Sequence, residues 1–157
     1  MIEEHAYKFI NENVKKLFED KEKTDFFPKN IGGVARKAKR FVVYIMSEGL
    51  IRALLFAYSK AKTQNIENYE EALGGAIGKL NATEETWSET YDWLVVSKFT
   101  LDFIGKEFSD ILGTSSKSPE DILKALIEIG NALMYIEERV ISALNVFSML
   151  CFALEER

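Results

Sequence analysis

Cysteine is nearly missing from this sequence: Cys151 stands alone among 157 residues. A lone cysteine forms no intrachain disulfide, so the core must hold the fold, and the composition fits a reducing, cytoplasmic setting. The thiol sits among Met149, Leu150, Phe152 and Leu154, in a helical run where a buried, inert cysteine is expected. Histidine is equally scarce. With only His5, a zinc site lacks ligands, and a Ser-His-Asp or Cys-His mechanism would have to be built on that one residue. Carboxylate doublets such as Glu70-Glu71 and Glu137-Glu138 have no Glu-x-x-His partner, and neighbouring residues on a helix point about 100° apart, as solvated faces do. Gly32-Gly33 and Gly74-Gly75 lack the surrounding pattern of a phosphate loop. No run of about 18 apolar residues is present, so no membrane span is expected, and residues 1–10 lack the basic start and apolar stretch of a signal peptide. These absences leave no expected metal, cofactor or small-molecule substrate, and they rank an enzyme last among the possible functions.

Only Pro28 and Pro119 interrupt the chain. Interior proline costs a helix about 3 kcal/mol, so their rarity leaves room for long helices. With 47% apolar and 29% charged residues, a chain of this length reads as one domain, 1–157, burying about two thirds of its unfolded surface. Tyr7, Ile10, Val14, Leu17 and Phe18 recur at three and four and predict a helix over 2–20. Asn30 is a suitable cap for a helix over 31–47, with Val34, Ala38, Phe41, Val42 and Ile45 on its inner side. Gly49 breaks it from a helix over 50–62. Residues 64–81 are ambiguous because Gly74, Gly75 and Gly78 weaken helix there. Asn81 followed by Glu84 resembles a capping box opening a helix, in which Trp87, Leu94, Leu101 and Phe108 recur every seventh residue up to Gly113. Ser118-Pro119-Glu120-Asp121 is a second helix start, and the pattern continues to Leu154 with a break near Gly130-Asn131. No sustained strand-type alternation appears. The expected fold is an all-α, compact single-domain bundle of about six helices.

Charge is unevenly placed. From Lys29 to Lys62 there are eight basic residues against Glu48 alone, so a chain of net charge −5 carries +7 there and −12 elsewhere. Glu67, Glu70, Glu71, Glu84, Glu85, Glu89 and Asp92 form an acidic stretch that follows. Lys29, Arg36 and Arg40 lie at i, i+7 and i+11 and line one side of a helix. Lys37 and Lys39 flank that row, and Arg52 and Lys60 extend it into the next helix. A straight cationic row suits the evenly spaced phosphates of a nucleic-acid backbone without reading bases. The same row also suits an acidic protein partner, so a generic helical interaction module remains an alternative. A DNA-binding helical domain is weaker, for want of a helix-turn-helix with base-reading side chains.

The segment Tyr44-Ile-Met-Ser-Glu-Gly-Leu-Ile-Arg-Ala-Leu-Leu-Phe-Ala-Tyr-Ser-Lys60 resembles the signature of the small subunit of type III-B (Cmr-type) CRISPR effector complexes. That signature is a basic helix leading to an isoleucine, Gly-Leu four residues on, and a Leu/Ala/Phe-rich helix closing on Ser-Lys. Arg36, Lys37, Lys39 and Arg40 supply the basic lead, and Ala143 to Leu150 is similar to the family's closing Ala-Leu-rich helix. Val42 stands where the family often has proline, Glu48 where it often has asparagine, and Met149 where it often has tryptophan. These departures leave open a divergent member of that family, or the small subunit of another type III complex. The resemblance implies a helical, non-catalytic subunit that stacks on copies of itself in an inner filament. It would lie beside the backbone and large subunits and touch the CRISPR RNA–target RNA duplex. The RNA-contacting candidates are then Lys29, Arg36, Lys37, Lys39, Arg40, Arg52 and Lys60.

Overall fold

The computed structural model describes residues 1–83, 86–113 and 118–155, and among these it is all-α, with no strand. Helix α1 runs through three consecutive stretches: Ile2–Ile10, a π-helical Asn11–Lys15, and Lys16–Asp20. Its buried residues are Ala6, Phe9, Ile10, Val14 and Phe18, while Tyr7 is exposed. A π turn advances less per residue than an α turn. The stripe can therefore start further round than a uniform helix would place it and still end at Phe18.

Helix α2 spans Phe27–Glu48 and begins earlier than expected, with Pro28 in its first turn. Asn30 is inside it, not at its cap. Its Nδ2 donates to the Phe26 carbonyl (2.6 Å) and its Oδ1 accepts from the Trp87 backbone N–H (2.8 Å). Gly49, at φ +88°, turns the chain into α3, Leu50–Ala61. This is backbone that glycine adopts freely. The opening N–H of α3, at Leu50, donates to Glu137 Oε1 (3.0 Å), a cap supplied from the far end of the sequence.

The ambiguous 64–81 region forms two short helices, α4 (Thr63–Glu67) and α5 (Tyr69–Gly78). Asn81 does not start a helix. Its Oδ1 accepts from the Thr83 N–H and hydroxyl (2.9 and 2.6 Å), closing a turn, and Glu84 lies outside the described residues. Helix α6 starts later, at Glu89–Glu107, leaving Trp87 ahead of it. Nearly its whole length from Asp92 to Gly105 is buried, so it is the central helix of the bundle. A four-residue α7 (Ser109–Leu112) follows, ending at Gly113, φ +63°. Helix α8 is Pro119–Glu128, and the Ser118 hydroxyl accepts from the Asp121 N–H (3.2 Å) as expected of its cap. Gly130, at φ +68°, makes the expected break before α9, Ala132–Leu154. The described residues thus hold nine helices, not about six; α4, α5 and α7 are the additions.

Helix α9 lies antiparallel along α2, tied by the Ser148 hydroxyl to the Ala35 carbonyl (2.9 Å). Phe99 of α6 stacks on Phe147 of α9 at 4.2 Å, and Phe9 of α1 meets Phe99 edge-on at 5.3 Å. One buried apolar cluster runs from Ala6 to Cys151. Burial raises the Cys151 thiol well above its ordinary range. Among the described residues no helix is long and apolar enough to cross a membrane.

Candidate nucleic-acid interface

Helix α2 buries Ile31, Val34, Ala35, Ala38, Phe41 and Ile45. At about 100° per residue, Lys29, Arg36 and Arg40 share an arc of about 40° on the opposite side, and all three are exposed. Gly32 and Gly33 sit on either edge of that arc, and a carboxylate rests on each. A methyl group at Gly32 would come within 2.6 Å of Glu155 Oε1, and one at Gly33 within 2.7 Å of Asp92 Oδ2. The cationic row is therefore flanked by two acids that approach the helix only because these positions carry no side chain.

The seven candidates meet different surroundings. Lys29 borders a cleft of about 240 Å³ shared with Arg36, Lys37, Trp87, Glu89 and Asp92. The Arg36 side chain is 58% exposed and its Nη1 lies 3.4 Å from Glu155 Oε1, a loose ion pair. Lys37 is the exception to the sequence expectation. Its side chain is only 9% exposed and its Nζ donates to Glu89 Oε1 at 2.9 Å. It sits in the seam between α2 and α6, where it has little surface to offer a polyanion. Lys39 is exposed on the α9 side, its Nζ 5.9 Å from the Phe152 ring centroid. Arg40 is exposed and makes no ion pair with a described residue. Arg52 pairs with Glu48 one turn earlier in the chain (3.5 Å), and Lys60 Nζ lies 5.5 Å from the Phe56 ring centroid.

The structure brings together Arg40 and Lys60, from different helices. Both act on the Glu89 carboxylate, which Lys37 chiefly holds below its usual range, first by its hydrogen bond and then by its charge. Because α2 and α3 run antiparallel about Gly49, Tyr44 and Phe56 face each other, and Arg40 and Lys60 lie one turn beyond them. Arg52 and Lys39 are apart from this pair, at the other end of α3 and towards α9.

Four contributors escaped the sequence reading. Asp92 is 7% exposed, and its Oδ1 accepts from Trp87 Nε1 (2.6 Å). Burial pushes its carboxyl up to about 6, against the Trp87 hydrogen bond and the charges of Lys37 and Arg36. The others are Glu155 and the aromatic pair Tyr44 and Phe56. The Gly32-Gly33 doublet within a basic helix was the available signal for the two acids, since consecutive glycines mark close approach. The acidic stretch is also not one surface: Asp92 is buried beneath the cations, and Glu89 is exposed beside them, 2.9 Å from Lys37 Nζ. Glu67, Glu70 and Glu71 are exposed on α4 and α5, and Glu84 and Glu85 lie outside the described residues.

The lone histidine and the lone cysteine both pack against the core. His5 is wedged between the rings of Phe99 and Phe103 (5.6 and 5.5 Å), 3.5 Å from Asp102, and burial lowers its pKa. Cys151 is fully buried. No family model matches the chain, and neither the curated proteins nor the solved structures contain a match to it.

Proposed function

We propose that this chain is a non-catalytic subunit of a larger assembly that touches nucleic acid through phosphate contacts. In this reading it is the small helical subunit of a type III-B (Cmr-type) RNA-guided effector, or of another type III complex. One observation carries the proposal: on a protein of net charge −5, exposed cations of α2 and α3 share a face, Arg40 and Lys60 both acting on Glu89, with Arg36 and Lys29 continuing the row along α2. A cationic line suits a polyanion whose sequence is read elsewhere, by base pairing. A-form RNA hides its major-groove edges, which leaves phosphates and shape as what a helix face can meet. The segment that carries the family resemblance is the α2–Gly49–α3 hairpin itself, so the similarity and the cations coincide. The remaining acidic face of α4 and α5 suits a head-to-tail contact with the basic face of a second copy, a heterologous arrangement that stacks without closing. The partners are then the backbone and large subunits, further copies of the chain, and the guide–target duplex.

A second reading has its own support. Val43, Met46 and Leu55 are 64%, 72% and 53% exposed among these cations, and apolar side chains mixed with basic ones suit an acidic, amphipathic protein segment. Arg36→Glu with Arg40→Glu separates the two. Under the phosphate reading the double variant keeps its helical circular dichroism and loses at least tenfold in affinity for an A-form RNA duplex at low salt. Unchanged duplex affinity, with loss of binding to an acidic amphipathic peptide, would favour the second reading instead.

A further inference from the structure

The phosphate reading uses the cations of α2 and α3 but leaves unexplained the aromatic pair between them. Tyr44 and Phe56 stack across the helix boundary with centroids 4.3 Å apart and planes 29° from parallel. Both are half-buried, not sealed. Behind them Phe56 meets Trp93 edge-on at 5.4 Å, and Trp93, 3% exposed, rests on Phe41 at 6.4 Å. The pair is thus backed by aromatic core and presented at the surface. Arg40 precedes Tyr44 by one turn of α2, and Lys60 follows Phe56 by one turn of α3, so two cations sit at one end of the two rings, with the exposed Glu89 carboxylate there already taken by Lys37. At the other end Glu48 and Arg52 neutralise each other, 3.5 Å apart.

We propose that Tyr44 and Phe56 form a stacking site for a single unpaired nucleobase, with the adjoining phosphates held by Arg40 and Lys60. The proposal rests on the phosphate reading of the same face and names the form of nucleic acid it takes. Bases stack on aromatic rings whatever their identity, because every base has a π-face. Rings set at the level of a helix surface cannot reach a base inside an A-form stack, so the occupant is a base splayed out of the strand. The positive end of the site fixes direction: the backbone leaves past Arg40 and Lys60, away from the Glu48 carboxylate. Stacking alone accepts any base, so the site is expected to show little sequence preference.

The test measures the affinity of the full chain for three RNAs of equal length: a single strand, a perfect duplex, and a duplex with one bulged 2-aminopurine. Phe56→Leu and Tyr44→Leu keep apolar volume, and circular dichroism checks their fold. Either variant is expected to weaken the single strand and the bulged duplex by about tenfold, with the perfect duplex unchanged. Wild-type protein is expected to quench the 2-aminopurine and Tyr44→Leu to lose that quenching, with Tyr44→Trp restoring it. Should Phe56→Leu misfold, Tyr44→Leu and Tyr44→Trp carry the comparison alone. Folded leucine variants that bind each of the three RNAs as tightly as the wild type does, while Arg36→Glu/Arg40→Glu abolishes binding to each, overturn the stacking site and leave the phosphate reading intact. If the charge reversal alters none of the three affinities, the phosphate reading fails, and the stacking site with it.

Discussion

Lys37 and Arg40 are three residues apart on α2 and meet opposite surroundings. Lys37 lays its stem into the α2–α6 seam and gives its ammonium to Glu89, while Arg40 stands in solvent without an ion pair to a described residue. A few tens of degrees around a helix separate a packing lysine from an exposed arginine. Asp92 shows the same dependence on position. Its carboxyl is raised from the ordinary 3.8 to about 6, chiefly by burial. A raised acid pKa means that folding takes up a proton between those values, so Asp92 destabilises progressively as pH rises through that window and constantly above it. Asp92→Asn retains an acceptor for Trp87 Nε1 and removes the charge. The variant is expected to exceed the wild type in stability by roughly 1–3 kcal/mol at pH 8, the gap closing as pH falls towards 4. Urea unfolding across pH measures it, and a gap independent of pH would refute the assignment.

At the scale of elements, the helices of regular period were legible and the punctuated ones were not. Ser118-Pro119 and Gly130 marked their boundaries because cap and left-handed glycine are local devices. Asn81 was misread because the same oxygen that caps a helix also closes an Asx turn, and here Thr83 takes it. Helix α5 was hidden by three glycines, whose cost is offset by packing that a sequence does not display, and the five residues of α4 are too few to show a helical period. Of the candidate site, the charges were readable from spacing. What was not readable was which cations meet acids, because Glu89, Asp92 and Glu155 arrive from distant segments. The two glycines of α2 test this arrangement. Gly33→Ala drives a methyl group against an Asp92 carboxylate fixed by Trp87, and should lower the unfolding midpoint. Gly32→Ala meets only the free end of the Glu155 side chain, which can swing aside and release Arg36. That variant should fold normally and bind an RNA duplex roughly twofold more tightly, the worth of a loose surface pair. Equal destabilisation by both substitutions would contradict this difference.

Over the whole molecule, a net charge of −5 conceals a surface organised by sign. The fold itself does part of the sorting. It draws Asp92 beneath the basic helix pair, holds the exposed Glu89 on Lys37, leaves Glu67, Glu70 and Glu71 exposed on α4 and α5, and sets Arg36, Arg40 and Lys60 outward. On the proposed function, a protein so arranged would bind a polyanion by local field, not by net charge. Its affinity must then depend on salt through the few phosphates it neutralises. The most direct test is the affinity of the intact chain for an RNA duplex from 50 to 300 mM salt, wild type beside Arg36→Glu/Arg40→Glu. The account predicts a linear fall of log affinity with log salt, at roughly 0.7–0.9 per phosphate contacted, and a slope shallower by about two such contacts in the variant. A slope that is flat, or unchanged by reversing both arginines, would contradict it.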